Sequence, residues 1–156
     1  MVFTIFEPAG AGTAGKVPAE RLQRPEVRRA FRVLKVWALA YLAASTLELV
    51  TAFAVPYDGS TGSAIGVWIR CSVVTLIAAV IYALAIVAQG GRRRAHRALR
   101  VFAWLESVGF ILVALIVPGY PLWLRLTTLV VGVFAIGTAI AAGNRQLREA
   151  FASQAA

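Results

Sequence analysis

The stretch IGVWIRCSVVTLIAAVIYALAIVA occupies residues 65–88 and contains one charged residue, Arg70. A helix rises about 1.5 Å per residue, so this stretch is about 36 Å long, enough to cross a hydrocarbon core of about 30 Å. It is followed by Gln89, Gly90 and Gly91, which are typical of a helix end. The pattern therefore predicts a transmembrane helix.

Three further apolar stretches have a similar length, and each of them ends at a proline or glycine. Pro56 closes the first, Pro118 the third and Gly143 the fourth. Because every backbone polar group must be satisfied inside lipid, such continuous apolar runs favour helices. We expect four spans, at 33–55, 65–88, 99–117 and 122–142.

The composition leaves little room for a soluble domain. The chain has 156 residues, of which 60% are hydrophobic, and its mean hydropathy is +0.75. Soluble domains average roughly 45 to 50% apolar residues. We predict a transmembrane domain over 26–144, a flexible cytoplasmic tail over 1–25 and a second cytoplasmic tail over 145–156.

The arginine distribution predicts the orientation of the spans. Basic residues crowd three segments, at 21–35, 92–100 and 145–148, whereas the two remaining loops, 56–63 and 118–121, carry only Asp58. Short loops rich in arginine stay in the cytoplasm. Both termini are thus predicted to be cytoplasmic, in the inner (cytoplasmic) membrane of a bacterial cell. This topology accounts for the net charge of +9, and we expect no nucleic-acid partner.

An internal repeat links the two halves of the chain. Residues 29–36, RAFRVLKV, resemble residues 94–101, RAHRALRV, and residues 68–70, WIR, resemble residues 123–125, WLR. Duplication of one helical hairpin explains the shared order, and chance similarity between basic-flanked apolar helices is the alternative. Duplication predicts an all-α integral membrane protein built of two tandem parallel hairpins, related by a pseudo-two-fold axis along the membrane normal.

Charged residues within spans are costly and mark candidate functional sites. Glu48, Arg70 and Arg125 are expected in the outer half of the bilayer, where they would form a polar cluster that binds lipid, an anion or a partner's carboxylate. The repeat predicts that both arginines face the same way. In the alternative, each arginine extends to the headgroups beside its tryptophan.

Two other polar residues lie near the cytoplasmic side. Glu106 is a secondary polar site in the inner half of span three, where we expect it to contact Arg97, Arg100 or an arginine of the C-terminal tail. His96 lies within the basic segment 92–100, and we expect it to be solvated or to face the headgroups.

The sequence offers no catalytic set and no metal or cofactor pattern, so we expect neither an enzyme nor a bound cofactor. A single cysteine, Cys71, excludes an internal disulfide. We expect a non-catalytic membrane subunit or scaffold that binds membrane lipids and either a protein partner or a second copy of itself through its helix faces. The alternative is a small oligomeric transporter or channel that uses the Glu/Arg polar cluster.

Overall fold

Helices account for the regular structure of the chain. The computed structural model describes residues 17–55, 64–116 and 122–152, and in those ranges it contains six helices and no strands. They are α1 (Ala19–Gln23), α2 (Pro25–Ala54), α3 (Ala64–Gln89), α4 (Arg93–Ile116), α5 (Leu122–Ala142) and α6 (Arg145–Phe151).

Prolines determine both ends of α2. Arg24 has an extended backbone (φ −55°, ψ 132°), because a residue that precedes proline avoids helical dihedrals, and Pro25 then takes the first helical position. Val55 is also extended and stands before Pro56. The helix between them has 30 residues and is about 45 Å long. It starts eight residues before the predicted span at residue 33.

Three helices of the described chain are long and apolar enough to cross a membrane, which indicates a membrane protein. They are Pro25–Ala54, Ile65–Gln89 and Leu122–Ala142. The predicted third span lies in α4, which is not among the three. The first turns of α4 carry four arginines, Glu106 follows, and residues 117–121 lie outside the described chain. The predicted hairpin loops at 56–63 and 118–121 also lie outside it.

The four long helices pack in cyclic order, α2 against α3, α3 against α4, α4 against α5, and α5 against α2. Small side chains line these contacts, and Ala38, Ala78, Ala85 and Ala139 are completely buried. Small residues let helix backbones approach closely, which favours association in lipid. At Gly137 even a Cβ atom would overlap the ring of Trp37, so this close approach requires glycine.

All three arginine-bearing segments lie at one end of the helices. The Val17 amide donates to the Gly91 carbonyl (2.9 Å), and α6 packs against α2. Gly91 adopts φ +84°, which a side chain would strain. We call this the arginine-rich end. The predicted tails over 1–25 and 145–156 each contribute a packed piece to it, because Val17, Leu147 and Phe151 are buried.

The outer surface of the long helices is apolar. Each of them exposes a row of large hydrophobic side chains, among them Leu47 on α2, Leu76 on α3, Leu105 on α4 and Leu129 on α5, all more than half exposed. Soluble monomers rarely present contiguous apolar patches of this extent. This surface agrees with the three apolar helices in indicating a membrane protein.

Candidate functional site

Glu48 lies on the buried face of α2. Residues Ala38, Tyr41, Ser45 and Ala52 of the same face are buried too, at the spacing of three or four that a helix gives to one side. The carboxylate of Glu48 is therefore directed between the helices, and only 1% of the residue is exposed.

Thr128 and Arg70 hold the Glu48 carboxylate. The Thr128 hydroxyl donates to Glu48 Oε1 (2.9 Å) and accepts from Arg70 Nη2 (3.0 Å), while Arg70 Nη1 lies 3.5 Å from the same Oε1. The single Thr128 hydroxyl thus links the guanidinium to the carboxylate and joins α2, α3 and α5 at one point. Thr128 takes the place that the sequence predicted for Arg125, and from here on the name polar cluster means Glu48, Arg70 and Thr128.

Thr127 plays a lesser part beside the polar cluster. Its hydroxyl lies 3.1 Å from the Leu124 carbonyl and 3.5 Å from Glu48 Oε1. A hydroxyl has one proton, and the shorter bond to the carbonyl of its own helix takes it. Thr127 therefore leaves the Glu48 carboxylate to Thr128 and Arg70.

A small group of buried apolar residues lies within one helical turn of the polar cluster. They are Ala52, Val67, Cys71 and Leu124. Glu48 Oε2 is buried and has no hydrogen-bond partner within the described residues. In such surroundings a charge is costly unless it is paired, and the pairing in turn fixes which helices meet. The arrangement can specify helix packing, and it leaves one carboxylate oxygen available.

Arg125 lies outside the polar cluster. The residue is exposed, whereas the side chain of Arg70 is only 16% exposed. The expectation that the two arginines face the same way is therefore wrong, and Glu48 is brought together with Arg70 alone.

A difference in helix rotation explains the position of Arg125. The buried positions of α3 and α5 match when Val67 is paired with Leu124 and Cys71 with Thr128, 57 residues apart. The sequence alignment paired Arg70 with Arg125, 55 residues apart. Two residues turn a helix by about 200°, which directs Arg125 away from the helix contacts.

The buried positions of α2 and α4 recur at the 65-residue spacing of the two similar sequence stretches. Four aligned pairs, 65 residues apart, are buried in both α2 and α4. They are Ala30 with Ala95, Phe31 with His96, Leu34 with Leu99, and Ala38 with Ala103. The same register pairs Tyr41 with Glu106, and these two side chains contact each other.

Glu106 has a different partner from the one that the sequence predicted. It accepts a hydrogen bond from the Tyr41 hydroxyl (3.5 Å), which sequence reasoning had not singled out. Among the described residues it forms no salt bridge with Arg97, Arg100 or an arginine of α6. Glu106 therefore has Tyr41 as its hydrogen-bond partner in place of the predicted arginines.

His96 is buried, so the expectation that it is solvated is wrong. The residue is 3% exposed, and its ring stacks on Phe151 of α6 at 4.3 Å between centroids and 4° between planes. It also hydrogen-bonds to the backbone at Ala142. Burial, and secondly the charge of Arg100, lowers the pKa of His96 to about 4, so the imidazole is neutral at pH 7.

The comparisons with known proteins leave the site to be interpreted on its own. No family model, no curated protein and no solved structure matches this chain. In residues 17–55, 64–116 and 122–152, no three His, Cys, Asp or Glu side chains form a group that could hold a metal ion. Function must accordingly be argued from the geometry of individual residues.

Proposed function

We propose that this protein is a non-catalytic subunit or scaffold of the cell membrane, which crosses the bilayer four times with both termini in the cytoplasm and binds membrane partners or lipid through its helix faces. The observation that carries the proposal is the contrast between inside and outside. Glu48, Arg70 and Thr128 hydrogen-bond to one another between the helices, and the outward faces are apolar. Such a molecule presents surface for packing, and its strongest polar groups hold its own helices together.

The apolar face of α4 supports a fourth span. Val101, Leu105, Val108 and Leu112 lie on successive turns, and each is about half exposed or more. An apolar helix face of this length would be unfavourable in water. In the proposed arrangement it faces lipid or a partner, and the arginines at 92–100 lie at the cytoplasmic headgroups.

The shared burial pattern of the two hairpins supports their origin by duplication. The spacing of 65 residues between α2 and α4 is the one that the sequence alignment gave. The spacing of 57 between α3 and α5 differs by two residues from the 55 that the alignment gave for those helices. The Tyr41–Glu106 contact joins equivalent positions, as expected near a pseudo-two-fold axis.

Mass measurement on intact particles tests the proposal. The full chain, purified in mild detergent from its native membrane, should be recovered with a second copy, a protein partner or retained phospholipid, as seen by native mass spectrometry. A strictly monomeric particle that carries neither partner nor lipid would contradict the proposed function.

A transporter or channel is the second candidate, and the free Oε2 atom of Glu48 favours it. A buried carboxylate oxygen with no partner among the described residues could accept a proton or a transported cation. Flux into liposomes, measured for the wild-type chain and for Glu48→Gln, would test this role. Activity that disappears with Glu48→Gln and persists with Glu149→Gln, a change at an exposed acid, would favour transport over scaffolding.

A further inference from the structure

A second polar site lies at the arginine-rich end, between α4 and α6. It is a cavity of about 170 Å³, lined by Arg93, His96, Arg97, Arg100, Arg148 and Phe151. We call it the basic pocket. In the described part of the chain no carboxylate lines it, and the nearby Glu149 is paired with Arg145 (2.6 Å).

Three nitrogen atoms of residues that line the basic pocket lack hydrogen-bond partners within the described residues. They are His96 Nε2, Arg93 Nε and Arg100 Nε, and all three are buried. His96 is 97% buried, and Phe151 and the Ala142 backbone fix its ring. Arginine donors around one cavity match the oxygens of a phosphate, which can accept from several of them at once.

An apolar groove continues from the basic pocket along α4. Arg97 and Arg100 border both, and the groove is completed by Val101, Trp104, Leu105 and Val108. It is a shallow groove on the outer surface, because all of its lining residues belong to α4. The spacing of these residues places them on one side of α4, which runs from the arginines toward the centre of the proposed bilayer.

We propose that the basic pocket binds the phosphate of an anionic phospholipid, whose acyl chain lies along the apolar groove of α4. The inference rests on the proposed function, because only a chain embedded in the membrane brings both parts to one lipid. A lipid with net negative charge is preferred over a zwitterionic one, since four arginines face the headgroup and no acid compensates them within the described residues. His96 donates through Nε2 when it takes up a proton.

Proton uptake gives the site a spectroscopic signature. The charged groups that face His96 are Arg93, Arg97 and Arg100 on its own helix and Arg148 on α6. All four disfavour imidazolium, and a bound phosphate offsets their charge. The pKa of His96 should therefore rise when the lipid binds. Since the chain has a single histidine, its imidazole NMR signals report on this pocket alone.

Lipid titration by native mass spectrometry tests the proposal on the full chain. Phosphatidylglycerol should bind more tightly than phosphatidylcholine with the same acyl chains. Arg97→Gln, Arg100→Gln and the exposed Arg148→Gln should each weaken phosphatidylglycerol binding by about fivefold. Arg94→Gln is the matched control, because Arg94 is exposed on the same helix and does not line the pocket. An equal loss with Arg94→Gln, or no preference for phosphatidylglycerol, would overturn the assignment.

Inorganic phosphate distinguishes the two sources of the ligand. Phosphatidylglycerol should shift the His96 NMR signals, and millimolar inorganic phosphate should neither produce this shift nor displace the lipid. An equal response to inorganic phosphate would overturn the assignment of a phospholipid and would indicate that the basic pocket binds a free anion. A chain that keeps a protein partner and shows no headgroup preference would refute this inference alone, whereas a bare monomer would refute the proposed function.

Discussion

The polar cluster and the basic pocket differ in how their charges are compensated. In the polar cluster a carboxylate, a guanidinium and a hydroxyl from three helices hydrogen-bond to one another. In the basic pocket four arginines surround a neutral histidine, and nothing in the described chain compensates them. The first site is held together by its own groups, apart from the Oε2 atom of Glu48, whereas the second, as proposed above, takes its counter-charge from a ligand.

Removal of Arg70 should have the largest effect on stability. Arg70→Met leaves the buried Glu48 carboxylate without its counter-charge, and breaking a buried pair in this way costs about 3 to 5 kcal/mol. Arg125→Met is the matched control, because Arg125 is exposed and a surface change costs within about 0.5 kcal/mol. Unfolding of both variants in detergent measures the difference. Equal losses would mean that the two arginines play the same role after all.

Acid should destabilise the basic pocket. The pKa of His96 is lowered to about 4 in the folded chain, and an unfolded histidine has a pKa of about 6.5. The unfolded chain therefore binds more protons between these values, so the stability present above about pH 6.5 is lost as the pH falls toward 4. The loss is on the order of a few kcal/mol without anionic lipid.

The substitution His96→Phe provides the control for this pH dependence. Phenylalanine keeps the stack on Phe151 and has no titrating proton, so the loss of melting temperature between pH 6.5 and 4 should shrink. Phosphatidylglycerol should also reduce the loss of melting temperature of the wild-type chain between pH 6.5 and 4. A variant with the full acid sensitivity of the wild type would assign the effect to other groups.

Removal of the Thr128 hydroxyl, which links Arg70 to Glu48, should have the smallest effect on stability of the three changes. Thr128→Val removes the hydrogen bonds to Glu48 and Arg70 while it keeps the shape, and interhelical bonds of this kind contribute about 0.6 kcal/mol on average in membranes. Thr138→Val is the control, because its hydroxyl bonds only the Phe134 carbonyl of its own helix in the described contacts. Equal melting temperatures for the two variants would show that the Thr128 hydroxyl does not stabilise the contact between Glu48 and Arg70.

Helix ends and apolar lengths could be predicted from the sequence because they depend on local chemistry. α5 begins at Leu122 and ends at Ala142, which are the predicted limits, and Pro25, Pro56 and Gly91 act within one turn of their own position. Glu48 and Arg70 were also predicted as neighbours, since a short loop joins their helices.

The features that sequence reasoning missed depend on contacts between distant segments. The aligned tryptophans and arginines of spans two and four suggested one rotation of α5, whereas the packing of small residues such as Ala135 selects another. His96 was predicted to be solvated or to face the headgroups because its neighbours in sequence are arginines. It is buried by Phe151, which lies 55 residues further along the chain.

The order of synthesis gives the Glu48–Arg70 pair a further consequence. Both residues belong to the first hairpin, 22 residues apart, whereas Thr128 follows 80 residues after Glu48. In the proposed topology the acid and the base enter the bilayer together, and each lowers the insertion cost of the other before α5 has been made. The second hairpin then brings only a hydroxyl to this point. Insertion can thus proceed hairpin by hairpin, and a ribosome that pauses after α3 leaves no unpaired glutamate in the lipid.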